Sequence, residues 1–280
     1  MEFRALWPED RAWITACRDT RVHPFTSLSF PSLFAWTAEY GLTAAGDSDF
    51  FVIRSEHDGA YYCPCGDEGK CRAFLDSLTG GAKLVYLTKE QADELAGRGW
   101  LVRHRADLSE YILSTAAEAL REGHVSKSFR DKCRHFKKQF SYSVRPVGAA
   151  EMPILRRSLL ALWDDPKERN FGDYSVLHRE IEHFDRLGLR GLLMETAEGE
   201  HAFVLGYENT ADCFTVTIGK HSPGLPTETS MVIVHELART LDGEYPYLNL
   251  EEDLGLEGLR RAKELYSPVD RLEAYEASKP

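Results

Sequence analysis

Between Ala149 and Tyr275 the hydrophobic pattern switches repeatedly between helical and strand periods, and the order of those switches limits the fold. Met152, Leu155, Leu159, Leu160 and Trp163 recur at helical spacing, and after a polar loop over 164–174 a second helix is expected from Val176 to Leu187. Leu192–Glu195, Ala202–Tyr207 and Cys213–Ile218 then read as three strands joined by the tight turns AEGE and ENTAD. The loop KHSPGLP follows, and Thr227 is expected to cap a helix running to Leu241 on an apolar face of Met231, Val234, Leu237, Ala238 and Leu241. Glu244–Pro268 supplies a short buried strand (Tyr245–Leu250), an acidic turn (Glu251, Glu252, Asp253) and an amphipathic helix ending near Tyr266. Arg271–Tyr275 gives a last strand. In open α/β sheets ligands sit beyond the carboxyl ends of strands, so the acidic turn is expected to mark the floor of a cleft.

The first part of the chain has a similar outline. Residues 2–24, with Trp7, Trp13 and Ile14, form a short strand or helix, and Phe25–Tyr40 carries Phe30, Leu33, Phe34 and Trp36 at helical spacing. Phe50–Arg54 and Ala60–Cys63 flank the polar turn SEHDG as a hairpin. A helix over Lys70–Leu78, a strand over Leu84–Leu87, a Thr88-capped helix to Leu95, and strands over Leu101–Arg105 and Glu110–Leu113 complete an α/β unit of roughly 110 residues.

Charge is unevenly placed. The 280-residue chain has a net charge of −11, which argues against broad nonspecific nucleic-acid binding. Yet Arg121–Arg145 holds eight Lys or Arg against two acids, a local +6. On a helical wheel Phe129, Cys133, Phe136 and Phe140 fall on one side, and Lys127, Arg130, Arg134, Lys137 and Lys138 on the other. Such a helix is either a solvated basic surface or a row of phosphate contacts. No apolar run approaches the ~20 residues of a membrane helix, and the first residues lack a signal-peptide pattern, so a cytoplasmic location is the default. The six cysteines read as reduced thiols. Cys63, Cys65 and Cys71 cluster without a fourth ligand at regular spacing, so no metal is expected.

Helix, helix, three-stranded meander, helix, strand, helix, strand is the order of an acyl-CoA N-acyltransferase (GNAT-like) domain, and the first half resembles it too. NLEEDLGLEGLRRAKELYSP at 249–268 resembles a hallmark of the C-terminal domain of phosphatidylglycerol lysyltransferases, supported by FTSLSFPSLFAW at 25–36 and KSFRDKCRHFKKQFSYSVRPV at 127–147. The resemblance implies an α/β (α+β) fold of two GNAT-like domains in tandem, each a mixed, mostly antiparallel sheet flanked by helices. The divisions expected are 1–114, a basic bridging helix over 115–141, and 142–280 with the cleft. It also implies aminoacyl transfer from a charged tRNA, or a related acyl donor, to an amine- or hydroxyl-bearing acceptor such as a small molecule or peptide.

Two other functions compete: a CoA-dependent N-acetyltransferase, and a non-catalytic binding protein of the same fold. In CoA-dependent GNAT enzymes a Gln/Arg-x-x-Gly-x-Gly/Ala loop offers backbone N–H groups to the pyrophosphate. Lys220–Pro226 stands at that place with one glycine and two prolines, and Glu228 follows; this counts against acetyl-CoA or another acyl-CoA as cofactor. Lys220 and Thr227 remain suited to an anion, as do Arg260 and Lys263, which share a helix face. With Lys127, Arg130 and Arg134 they form the expected donor-binding set. Asn249, Glu251, Asp253 and Tyr266 form the expected catalytic set, as acceptor-holding groups, base and general acid. The acids also suit helix capping, Asn249 a bulge, and Tyr266 a core position. His235, alone on its helix, is expected to be exposed.

Overall fold

The computed structural model describes residues 1–120, 125–163 and 173–280, and the chain divides into two compact units. Unit 1 comprises Met1–Glu110 and Leu272–Pro280; unit 2 comprises Tyr111–Arg271.

In unit 1, β1 (Arg4–Ala5) and α1 (Arg11–Cys17) precede α2 (Phe30–Ala35) and α3 (Thr37–Tyr40). The single helix expected over 25–40 is broken at Trp36, where ψ is 0° and the Thr37 hydroxyl donates back to the Leu33 carbonyl at 2.7 Å. The strands are β2 (Leu42–Asp47), β3 (Phe50–Ser55), β4 (Tyr61–Tyr62), β5 (Cys65–Gly66), β6 (Lys83–Leu87) and β7 (Leu101–His104), with helices α4 (Glu68–Ser77) and α5 (Lys89–Gly97) between them. Strand β2, with the sequence LTAAGD, lacks the β-branched alternation that marks a strand and has no counterpart in the sequence reading. The capping box at α5 is present: Gln91 N–H donates to Thr88 Oγ1 at 3.4 Å, and Thr88 N–H to Gln91 Oε1 at 2.9 Å. The sheet order is β1-β2-β3-β4-β6-β15-β7, where β15 is Tyr275–Ser278 and β5 pairs with β3.

Unit 2 begins with β8 (Glu110–Ser114), α6 (Thr115–Leu120) and α7 (Lys127–Gln139). Strand β9 (Tyr142–Pro146), α8 (Met152–Trp163), α9 (Asp173–Glu182) and α10 (Phe184–Leu187) follow. Then come the meander β10 (Arg190–Thr196), β11 (His201–Thr210) and β12 (Cys213–His221), α11 (Thr229–Leu241), β13 (Tyr247–Asn249), α12 (Glu257–Glu264) and β14 (Asp270–Leu272). Its order is β9-β10-β11-β12-β13-β8-β14.

The two orders are equivalent. In each sheet five strands follow chain order, the sixth place is filled from outside that run, and the edge strand completes it. The sixth strand of unit 1 is β15 from the end of the chain, and that of unit 2 is β8 from the end of the first half. The halves therefore exchange a strand. Reading along the sequence placed 110–113 with the first half and 271–275 with the second, because local periodicity identifies a strand but not its sheet. The units divide at Glu110/Tyr111 and Arg271/Leu272 rather than at 114 and 141, and the basic helix belongs to unit 2.

Alternation along the strands of unit 2 feeds two cores. On one face Leu192, Met194, Val204, Phe214 and Val216 pack with α11 and with Phe129, Cys133 and Phe136 of α7. On the other, Leu193, Phe203, Leu205 and Ile218 pack with Leu155 and Leu159 of α8 and Leu177 and Ile181 of α9. Leu160, expected inward, is 58% exposed. The polar-loop reading of 164–172 and the Trp163 side chain lie outside the described residues.

One parallel pairing interrupts the antiparallel run from β9 through β13 to β8. Strands β12 and β13 are in register over Cys213↔Tyr247, Phe214↔Leu248 and Thr215↔Asn249. Beyond Thr215, β12 continues to His221 paired only with β11, which carries a bulge at Leu205/Gly206. Gly206 is required at that bulge: a Cβ there would stand 2.1 Å from the Thr215 carbonyl oxygen.

Candidate functional site

The acidic turn after β13 is a coil held by its own side chains. Asn249 is buried, and its Oδ1 accepts the Glu251 N–H at 2.7 Å. Glu251 and Leu254 take left-handed conformations with φ of 60° and 52°. The Asp253 carboxylate is fully enclosed. It accepts the Tyr111 hydroxyl at 2.6 Å, the Gly255 N–H at 2.8 Å and Arg260 Nε at 2.8 Å. Arg271 lies 3.7 Å away and stacks over the Tyr111 ring, 3.9 Å from its centroid.

Burial opposes ionisation of Asp253, but the bonds from Arg260, Tyr111 and Gly255 outweigh it and hold the carboxyl below the usual aspartate range. Burial and the same bond push the Tyr111 phenol up to about 12. Lys263 turns back to donate to the Leu250 carbonyl at 2.6 Å and to the Glu252 carbonyl. Arg260 and Lys263 thus tie α12 to the turn. Tyr266 is buried against Phe129 with ring centroids 5.2 Å apart, and its hydroxyl lies 3.4 Å from the Ser230 carbonyl. Burial pushes that phenol strongly up, with Glu118 and Cys133 adding to the shift.

Helix α7 is fastened at its start. Ser126 Oγ accepts the Phe129 N–H at 3.1 Å and donates to the Leu265 carbonyl at 3.1 Å. Its basic residues then sort into two groups. Arg130 donates to the Val125 carbonyl, Arg134 to Asp131 at 2.8 Å, and Lys137 to Glu236 at 2.8 Å. Glu236 also accepts the Tyr142 hydroxyl and Arg239, so this part of the face is a structural ion cluster.

The second group faces a cavity. Lys127, Ser128, Asp131, Lys132 and His135, spaced to share a helix face, line an open cavity of about 580 Å³ together with Glu228 from the start of α11. The side chains of Lys127, Lys132, His135 and Glu228 make no hydrogen bond or ion pair with the described residues. Sequence reasoning singled out Lys127 and noted Glu228 but missed Ser128, Lys132 and His135. The i, i+4 spacing of 127, 131 and 135, with 128 and 132 beside them, was the available signal.

The loop before α11 also differs from expectation. Its N-cap is Glu228, with no side-chain cap bond; Thr227 is exposed, and the Thr229 hydroxyl donates to the Pro226 carbonyl at 2.5 Å. The cap shifts by a residue because Pro226 lends its carbonyl to the Thr229 hydroxyl. Lys220 stands next to the end of β12, opposite Phe203. Glu200 presses on the loop from the β10–β11 turn: a Cβ on Gly224 would meet its carboxylate at 2.5 Å. Two carboxylates thus flank the place where a pyrophosphate loop would be needed. His235, expected at the surface, is 2% exposed, because α11 is buried on almost every side; its Nδ1 lies 2.8 Å from the Glu118 carbonyl and donates to it.

The sequence profile described as phosphatidylglycerol lysyltransferase, C-terminal, matches residues 20–278. The chain belongs to that family. A conserved protein of unknown function from Bacteroides thetaiotaomicron has 25% identity and a TM-score of 0.85, with 99% of each chain covered. A C-terminal domain assigned to a lysylphosphatidylglycerol synthetase of Agrobacterium fabrum has 13% identity and a TM-score of 0.68, covering 98% of this chain and 91% of that one. L-PGS from Bacillus licheniformis has 15% identity and a TM-score of 0.60, covering 90% and 92%. No curated protein sequence matches. Family and fold give a tandem GNAT-like protein related to aminoacyl transferases. Among the described residues no helix is long and apolar enough to cross a membrane, and no group of three or more His, Cys, Asp or Glu is placed to hold a metal ion.

Proposed function

We propose that this protein transfers an aminoacyl group from a charged tRNA to an amine- or hydroxyl-bearing acceptor. The observation that carries this reading is that Lys127 and Lys132, beside His135 in the lining of one cavity of an otherwise acidic chain, are bonded to none of the described residues. Cations held ready on a rigid helix suit phosphodiesters. Arg130 and Arg134 extend the contact along α7, and Lys220 and Thr227 extend it around the loop. The turn at 249–253 forms the acceptor wall. Asn249 and Glu251 shape it, Asp253, Arg260 and Lys263 hold it in position, and Tyr266 anchors the end of α12 against Phe129.

The chemistry is acyl transfer from an ester. The acceptor attacks the ester carbonyl, the new amide or ester bond forms, the bond to the ribose oxygen breaks, and the acceptor's proton ends on that oxygen. The ester is already activated, so no further energy source is required. Acyl-CoA is disfavoured as donor because Pro223 and Pro226 remove N–H donors and Glu200 and Glu228 flank the loop.

The test pairs two measurements. Gel shifts with charged and uncharged tRNA across salt concentrations should show salt-sensitive binding, weakened when Arg130 and Arg134 are reversed in charge. Acetyl-CoA should leave the melting temperature unchanged. Stabilisation by acetyl-CoA with no tRNA binding would contradict the proposal.

A further inference from the structure

A cavity serving only a polyanion gains nothing from carboxylates, since each one repels phosphate. This cavity has two. Asp131 is bonded to Arg134 at 2.8 Å, which offsets its charge. Glu228 has no such partner among the described residues and makes no capping bond to its own helix. It therefore brings to the cavity a carboxylate bonded to no described side chain, beside Lys127, Lys132 and His135.

Groups of both signs across one cavity select a ligand that also carries both signs. A cavity of about 580 Å³ lies within the roughly 300–1,000 Å³ range of small-ligand sites. Lys127 and Lys132 are separated by about 7.5 Å along the helix axis and by about 140° around it, so their long side chains reach two separate phosphates rather than one. An aminoacylated nucleotide 3′ end carries the required pair: phosphates along the strand, and a free α-ammonium on the esterified amino acid.

We infer that Glu228 binds the α-ammonium of the aminoacyl group while Lys127 and Lys132 take the adjacent phosphates, so this cavity distinguishes charged from uncharged or N-blocked donors. The assignment rests on the aminoacyl-tRNA reading above and names the group that recognises charging. Glu228 is a specificity residue here: it touches the donor but neither gives nor takes a proton in the transfer.

The experiment uses the full chain and CCA trinucleotides ending in a hydrolysis-resistant 3′-aminoacylamide, in its N-acetylated twin, or in a free 3′-hydroxyl. Fluorescence anisotropy should show the free-amine form binding about tenfold more tightly than either control, the scale of one charge-assisted contact. Glu228→Gln should reduce that preference to within about twofold, the residue of a neutral hydrogen bond, without weakening the N-acetylated twin. Asp131→Asn should retain the preference, and thermal melts should establish that both variants fold. Equal binding of free-amine and N-acetylated forms to the wild type, or full preference in Glu228→Gln, would overturn the inference while leaving tRNA binding intact. Absence of binding to all three oligonucleotides and to charged tRNA would remove the broader reading along with it.

Discussion

In unit 1 the strand at the fourth place is cut into Tyr61–Tyr62 and Cys65–Gly66, and helix α4 starts behind a side-chain cap from Asp67 to the Lys70 N–H at 2.9 Å. The lysine of that first turn, Lys70, is bonded to Asp47 and Asp49. In unit 2 the corresponding strand runs from Cys213 to His221, helix α11 starts without a side-chain cap, and nearby Lys127 and Lys132 have no partner among the described residues. One strand order thus supports two different ends. The first is closed by its own side chains, and the second borders an open cavity. The cysteines of unit 1 fit the same pattern, because burial pushes the buried Cys63 and Cys65 thiols well up and the half-buried Cys71 thiol to about 11, which favours the protonated thiol over the thiolate.

The largest way to break the comparison is to end the chain at Arg271. Strand β15 sits between β6 and β7, so its loss should cost unit 1 most of a typical domain stability of about 5–15 kcal/mol. Urea unfolding and limited proteolysis should show unit 1 opened and unit 2 protected; retention of both units would contradict the exchanged-strand description. Next, Asp253→Ala leaves the buried Tyr111 hydroxyl without its acceptor and removes the tie to the partly exposed Arg260, and should cost about 1–3 kcal/mol, with hydrogen exchange rising in unit 2. An unchanged melting temperature would mean that the turn is not held by this carboxylate.

Acid separates the units further. His23 of unit 1 is buried, and burial, with Arg18 nearby, lowers its pKa from 6.5 to about 4. The unfolded chain binds that proton first, so stability is full above about pH 6.5 and falls by about 3 kcal/mol as pH drops to about 4. Asp253 has a depressed pKa, so its contribution persists through that window and is lost only at lower pH. Hydrogen exchange should therefore rise first in unit 1, and simultaneous loss in both units would count against the assignment. The smallest stability effect is expected from reversing both Lys127 and Lys132 to Glu, which should move stability by no more than about 0.5 kcal/mol, because neither side chain has a partner among the described residues.

Helix α7 shows what the sequence made legible. Phe129, Cys133 and Phe136 recur at helical spacing and all are fully buried. The meander β10–β12 and the helix after it were equally plain, since each buries an alternating or periodic face. Ownership of strands was not legible: β8 and β15 pair over distances that no local pattern encodes. His235 was misplaced for a related reason: α11 is buried on almost every side, so a lone polar residue on it does not mark a solvent face. In the site, residue type identified the basic helix. Which lysines are free depended on partners such as Glu236, 99 residues from Lys137 in sequence. Asp253 likewise looked like a cap or a base, and only the fold reveals Tyr111, 142 residues away, at its carboxylate.

The most direct test of ligand binding at the open end of unit 2 is an anisotropy titration of charged tRNA across salt, comparing wild type with the Lys127→Glu, Lys132→Glu double variant. The expected result is weaker binding by the variant, with a salt slope shallower by about 1.4–1.8 for two lost phosphate contacts. The same affinity and the same slope for both proteins would contradict it.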